Sequence, residues 1–150
     1  MDAFRLRLAQ LALENLPFPR HQARTVLDLH AADGATTQFL QYYLPYSTVF
    51  GLRTAESAAD LAVCGQRYLE SLPNSFRCDG IIVIADGSRP LQELLSRTEA
   101  IPARWALVVA PWREAHSVDW DAHGYQVHYE ITEEPDDGVI VIAVRDREAQ

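Results

Sequence analysis

Two stretches of this chain, GIIVIA at 80–85 and RWALVVA at 104–110, are unbroken apolar runs of strand length. A strand with one face in water alternates apolar and polar residues; these do not, so both faces must be covered. A parallel sheet with helices packed on either side meets that demand, and its consecutive strands need crossovers, usually helical. Between the two runs, Leu91, Leu94 and Leu95 recur at helical spacing and supply one crossover.

The rest of the chain extends the alternation. Phe4, Leu8, Leu11 and Ala12 predict a helix over 3–16, stopped by Pro17 and Pro19. Val26 to Leu29 reads as a strand, followed by Gly34 and a helix that reaches about Tyr43 and ends before Pro45. STVFGL at 47–52 is a second strand. Thr54 can cap a long helix running to about Ser71, with Leu61, Ala62, Leu69 and Leu72 on one face. After Pro111 come a short helix at about 117–123, Gly124 as its stop, and a strand in which Tyr125, Val127, Tyr129 and Ile131 alternate with polar residues. The turn signal EEPDDG leads into VIVIAV at 139–144, which predicts an antiparallel pair. The fold class expected is α/β: a single three-layer domain over 1–150, its core at 25–145, with a mixed sheet of about six strands and an antiparallel C-terminal strand pair.

Composition narrows the function. With 48% hydrophobic and 23% charged residues among 150, the chain is an ordinary globular one. The net charge is −8 with no basic cluster, so phosphate attraction has no source and nucleic acid is not expected as a partner. All 13 cations are arginine, which excludes Schiff-base chemistry, pyridoxal-phosphate anchoring and a Walker-type loop, each of which needs a lysine. No secretion signal and no membrane span are expected, and Cys64 and Cys78 fit free thiols in a reducing compartment, which points to the cytoplasm.

Four stretches resemble class I S-adenosylmethionine-dependent methyltransferases. VLDLHAADGATT resembles their first motif, commonly V-L-D-x-G-x-G-x-G, and VFGLR the second strand, which usually ends in an acid. LPNSFRCDGIIVI resembles the approach to the fourth strand, and AHGYQVHYEI the sixth strand with its preceding G-[FY]. The resemblance covers about 25–145 and implies a methyl donor lying over the C-terminal ends of the first, second and fourth strands. The positions it assigns to the cofactor are Asp28, His30, Ala32, Gly34, Arg53 and Asp86.

Only Asp28 and Gly34 match the family pattern. His30 and Ala32 stand where the first two glycines belong, and Arg53 where an acid holds the ribose. A β-carbon forced into left-handed backbone costs about 1–2 kcal/mol. Losing the acid's charge-assisted bonds forfeits about 1.5–3 kcal/mol more. At about 1.4 kcal/mol per tenfold, donor affinity falls by two or three orders of magnitude. Between the long helix and the fourth strand only LPNSFRCDG remains, too short for the family's third strand and the helix after it; LAVC as a third strand is the alternative parse. A lost third strand would leave Ser47 to Arg53 as the edge of the sheet, open to a protein partner or a second copy.

The resemblance therefore implies a degenerate methyltransferase-like domain, non-catalytic and acting through a protein partner or an altered ligand, with S-adenosylmethionine binding weak or lost. Two alternatives stand beside it: an active methyltransferase on a small molecule or protein, and a binder of a phosphorylated nucleotide through Arg53. His30 as acid or base and Asp86 as an acceptor-orienting group are the candidate catalytic residues. Plainer roles compete: Asp28 and Asp33 as caps, Arg53 paired with Glu56, and Asp86 as cap of the helix near Pro90. His116, His123 and His128 with Asp119 and Asp121 match no metal-ligand spacing and read as surface histidines, and Trp105, Trp112 and Trp120 as packing.

Overall fold

The computed structural model describes residues 9–10, 12–14, 16, 24–31, 34–52, 67–69, 71–85, 87, 89–133 and 138–144. The strands are β1 Thr25–Asp28, β2 Thr48–Leu52, β3 Arg67–Leu69, β4 Gly80–Ile84, β5 Trp105–Ala110, β6 Gln126–Glu133 and β7 Gly138–Val144. The helices are α1 Ala35–Tyr43, α2 Leu91–Thr98 and α3 Trp112–Ser117, followed by a short 3-10 turn at Asp121–His123. One sheet takes all seven strands in the order β3-β2-β1-β4-β5-β7-β6. The first five run parallel, and β7 returns antiparallel between β5 and β6.

The continuous apolar runs are covered on both faces, as their lack of alternation requires. On one face Leu27, Ile81, Val83, Ala106 and Val108 pack beneath Leu91, Leu94 and Leu95 of α2. On the other, Val26, Val49, Ile82, Leu107 and Val109 pack with Leu40 of α1 and with Ala9, Ala12 and Leu13 of an N-terminal helical segment. Each fully buried aliphatic side chain contributes about 1.5–3 kcal/mol relative to exposure. Trp105 is buried in the second face, and a β-carbon at Gly80 on the neighbouring strand would overlap its ring, which explains the glycine.

The structure corrects the sequence reading in four places. A third strand does exist: Arg67–Leu69, expected as the end of a long helix, pairs parallel with Phe50–Leu52 of β2. The edge strand on that side is therefore β3, so the expected partner edge from Ser47 to Arg53 is occupied over Phe50–Leu52; Arg53 lies outside the described residues. The remaining outer edge of β2 is closed by one side chain. Val49 N–H donates to Gln41 Oε1 at 2.9 Å, while Gln41 Nε2 donates to the carbonyls of Ser47 at 2.8 Å and Leu44 at 3.1 Å. The third correction is to the stretch after Pro111: an α-helix spans Trp112–Ser117, and the helix expected at 117–123 reduces to the 3-10 turn at Asp121–His123, with Gly124 as its stop. The fourth is the alternation of β6, broken by a register shift between Val127 and Tyr129; a bulge of this kind switches the faces on either side of it.

The family's helix after the third strand is absent, as the short linker requires: residues 71–79 are described and contain no helix. Leu72, Phe76 and Cys78 from this loop cover the sheet instead, with the Phe76 ring edge-on to Phe50 at 5.6 Å. Thr54, Leu61, Ala62 and Cys64 lie outside the described residues, and Cys78 Sγ lies 3.8 Å from Pro102 O. Among the described residues no helix is long and apolar enough to cross a membrane.

Candidate functional site

In an open parallel sheet the ligand crevice lies beyond the C-terminal ends of the strands, where the chain order reverses. Here that point is between β1 and β4, and the turn leaving β1 forms its floor. The backbone does not turn at once after Asp28. Leu29 N–H donates to Ile82 O at 3.1 Å and Ala31 N–H to Leu52 O at 3.2 Å, so the chain stays paired to both neighbours through His30. The turn follows over Ala31–Gly34 and is closed by Gly34 N–H donating to Ala31 O at 2.8 Å.

Gly34 carries φ 89°, in the left-handed region where a β-carbon is strained, and it starts α1. Its carbonyl accepts Gln38 N–H at 3.1 Å and the Tyr68 hydroxyl at 2.8 Å. A residue of β3 thus fastens the turn after β1. Gly51 permits this approach: a β-carbon there would stand 2.5 Å from Thr37 Oγ1, 3.0 Å from Tyr68 Cδ1 and 3.1 Å from Ala31 Cβ.

Asp28 is fully buried, and its Oδ2 accepts the hydroxyls of Thr36 at 3.0 Å and Thr37 at 2.8 Å. A carboxylate is favoured beside the positive N-terminal end of a helix, and here it binds β1 to the first turn of α1. Its Oδ1 has no hydrogen-bond partner among the described residues. His30 is 1% exposed and lines the same junction. Asp28, His30 and Gly34 are all buried along the passage from β1 into α1, whereas Ala32, Asp33, Arg53, Glu56 and Asp86 lie outside the described residues.

Sequence reasoning missed Thr36, Thr37, Gly51 and Tyr68. The threonine pair opening α1 was a usable signal, because hydroxyl residues in a first turn often answer to a nearby polar group. Tyr68 had none, being read into a helix. At the start of α2, Leu91 N–H donates to Glu114 Oε1 at 3.3 Å, so a residue of α3 serves the helix end for which Asp86 was considered.

The histidine reading is corrected at one position. His123 is 7% exposed rather than a surface residue, with Nδ1 2.7 Å from Glu99 Oε1. Nearby, the Tyr125 hydroxyl donates to Thr98 Oγ1, and the Trp120 indole N–H donates to Ala115 O while its ring meets Tyr125 edge-on. These contacts fix the entry to β6. No group of three or more His, Cys, Asp or Glu gathers as a metal site among the described residues. Trp105 and Trp120 pack, as expected; the Trp112 and His128 side chains lie outside the described set.

No protein-family model matches the sequence, and no curated protein matches it either. Solved structures do match the fold. The fibrillarin pre-rRNA processing protein of Methanococcus jannaschii superposes with a TM-score of 0.63 at 14% identity, over 95% of this chain and 74% of that one. Aeropyrum pernix fibrillarin, in complex with natively bound S-adenosyl-L-methionine, gives 0.64 at 15% identity, over 93% and 74%. The T. thermophilus 16S rRNA N2 G1207 methyltransferase, in complex with AdoMet and guanosine, gives 0.65 at 14% identity, over 96% of this chain and 40% of that one. This chain thus spans less than half of that larger protein. Strand order, the antiparallel return of β7 and these superpositions agree: the chain has the fold of the class I S-adenosylmethionine-dependent methyltransferases.

Proposed function

We propose that this domain is a non-catalytic methyltransferase-like module, cytoplasmic, whose donor site has lost most of its affinity and which acts by binding a protein partner or an altered ligand. The observation that carries this reading is the turn after β1. A donor site needs backbone amides left open toward the ligand and glycines that let it approach. Here Gly34 N–H closes the turn on Ala31, the Gly34 carbonyl is held by Tyr68, and the buried His30 stands where the family has a glycine. These residues do not fit S-adenosylmethionine as the family holds it, so no transfer step is assigned to them. The net charge of −8 supports a protein partner rather than RNA, although fibrillarin and the 16S rRNA methyltransferase are named for RNA work.

A second reading, an active methyltransferase, is favoured by one feature: among the described residues, Asp28 Oδ1 has no hydrogen-bond partner. The third, a phosphorylated nucleotide held by Arg53, rests on the sequence. One set of variants separates them. His30→Gly, Ala32→Gly and Arg53→Asp together restore the family pattern, and the triple variant should bind S-adenosylmethionine at least tenfold better than the parent, about 1.4 kcal/mol. Equal, weak binding by two folded proteins would mean that local substitutions are not the cause. Tight binding by the parent, with methyl transfer to an acceptor, would establish the second reading. Nucleotide binding lost on Arg53→Ala alone would establish the third.

A further inference from the structure

From Gly34 to Leu52 the chain carries no charged residue, although 23% of the whole is charged. Part of this stretch is core, but its tyrosines are not. Tyr42 and Tyr46 are each 77% exposed and Tyr43 is 42% exposed. Phe39, Tyr43 and Tyr42 form a run of ring contacts, with the Phe39 and Tyr43 rings 4.8 Å apart and Tyr42 edge-on to Tyr43 at 5.0 Å, and Tyr46 follows in the turn into β2. The patch sits at the C-terminal end of α1 and the turn into β2, at the end of the sheet where β2 begins. That is the end opposite the crevice, so it is independent of the donor site and of the reading given above.

We propose that this tyrosine face joins two copies of the chain in a two-fold dimer. Charge decides the occupant. Each copy carries a net charge of −8, so two copies meet with least repulsion through a segment that brings no carboxylate of its own, and Gly34 to Leu52 brings none. Repulsion between the remaining surfaces is screened beyond about 8 Å at physiological salt. A basic partner would be drawn to the acidic remainder of the surface rather than to this neutral part.

The patch is also complementary to itself. A two-fold interface presents the same surface from both sides, so its chemistry must suit its own copy. Tyrosine does: ring edges pack against ring faces, and each hydroxyl both donates and accepts. At about 150–250 Å² per aromatic side chain, the exposed parts of the three tyrosines offer on the order of 400 Å² per copy. That is about half of the ~800 Å² per partner in a standard interface, which fits a weak dimer formed at micromolar or higher concentration.

Sedimentation velocity on the whole chain over a range of concentrations tests the proposal. The weight-average mass should climb with concentration from 16.9 kDa toward twice that value. Tyr42→Arg with Tyr46→Arg should hold the protein at the monomer mass with an unchanged melting temperature. Since the two arginines make the net charge less negative than −8, loss of the dimer could not be assigned to greater overall repulsion. Tyr42→Ala with Tyr46→Ala, which adds no charge, should weaken self-association at least tenfold. A parent that stays monomeric throughout would overturn the proposal and leave the face to a different protein. Variants that associate as strongly as the parent would overturn it too.

Discussion

Asp28 ties β1 to the first turn of α1. Its Oδ2 accepts the hydroxyls of Thr36 and Thr37, so removing the carboxylate would take away the buried acceptor they share at the start of α1. Each buried polar group left without a partner costs about 1–3 kcal/mol, and Asp28→Ala should therefore lower unfolding stability by about 2–5 kcal/mol in urea denaturation. Thr36→Val with Thr37→Val in the same background should recover part of that loss, because neither residue then carries a hydroxyl that needs this acceptor. Absence of recovery would show that Asp28 acts through something other than these two bonds. At this scale the sequence was legible where a residue's backbone chemistry is special. Gly34 was identified from the motif and carries the positive φ that only glycine adopts without strain. Tyr68 was not legible, since its bond to Gly34 O depends on a strand pairing that no local pattern announces.

Elements were readable in proportion to the length of their apolar pattern. The buried strands β4 and β5 and the crossover helix α2 lie where the runs GIIVIA and RWALVVA and the leucines between them put them. β3 is three residues long, too short to show a period, and it forms because Phe50–Leu52 offers it a parallel partner. Because β3 covers only that part of β2, the rest of the edge depends on Gln41, whose side chain takes the place of a further strand segment. Gln41→Ala would remove the acceptor of Val49 N–H at an edge flanked by apolar residues. We expect a loss of about 1–3 kcal/mol and earlier aggregation on heating, followed by light scattering alongside the melting curve. Unchanged scattering and stability would mean that water serves this edge as well as glutamine does.

For the whole molecule, the α/β class and its parallel core were legible because strand character and crossover order leave few topologies open, whereas the strand order, with β7 between β5 and β6, comes from the structure. The donor site was legible in outline and not in state. Sequence placed His30 and Ala32 at the wrong residue types for a ligand-cradling turn, and the structure adds that the chain stays hydrogen-bonded through Ala31 and closes its turn on itself. It also removes one premise, since β2 is not the edge of the sheet, and the partner surface now inferred is the tyrosine face at the opposite end from the crevice. The central claim is that the fold persists without its donor. Calorimetric titration of S-adenosylmethionine and S-adenosylhomocysteine into the purified chain tests it most directly. The account predicts dissociation constants of about 0.1–1 mM or weaker for both ligands, two to three orders above a micromolar site. A dissociation constant tighter than about 10 µM for either would contradict it.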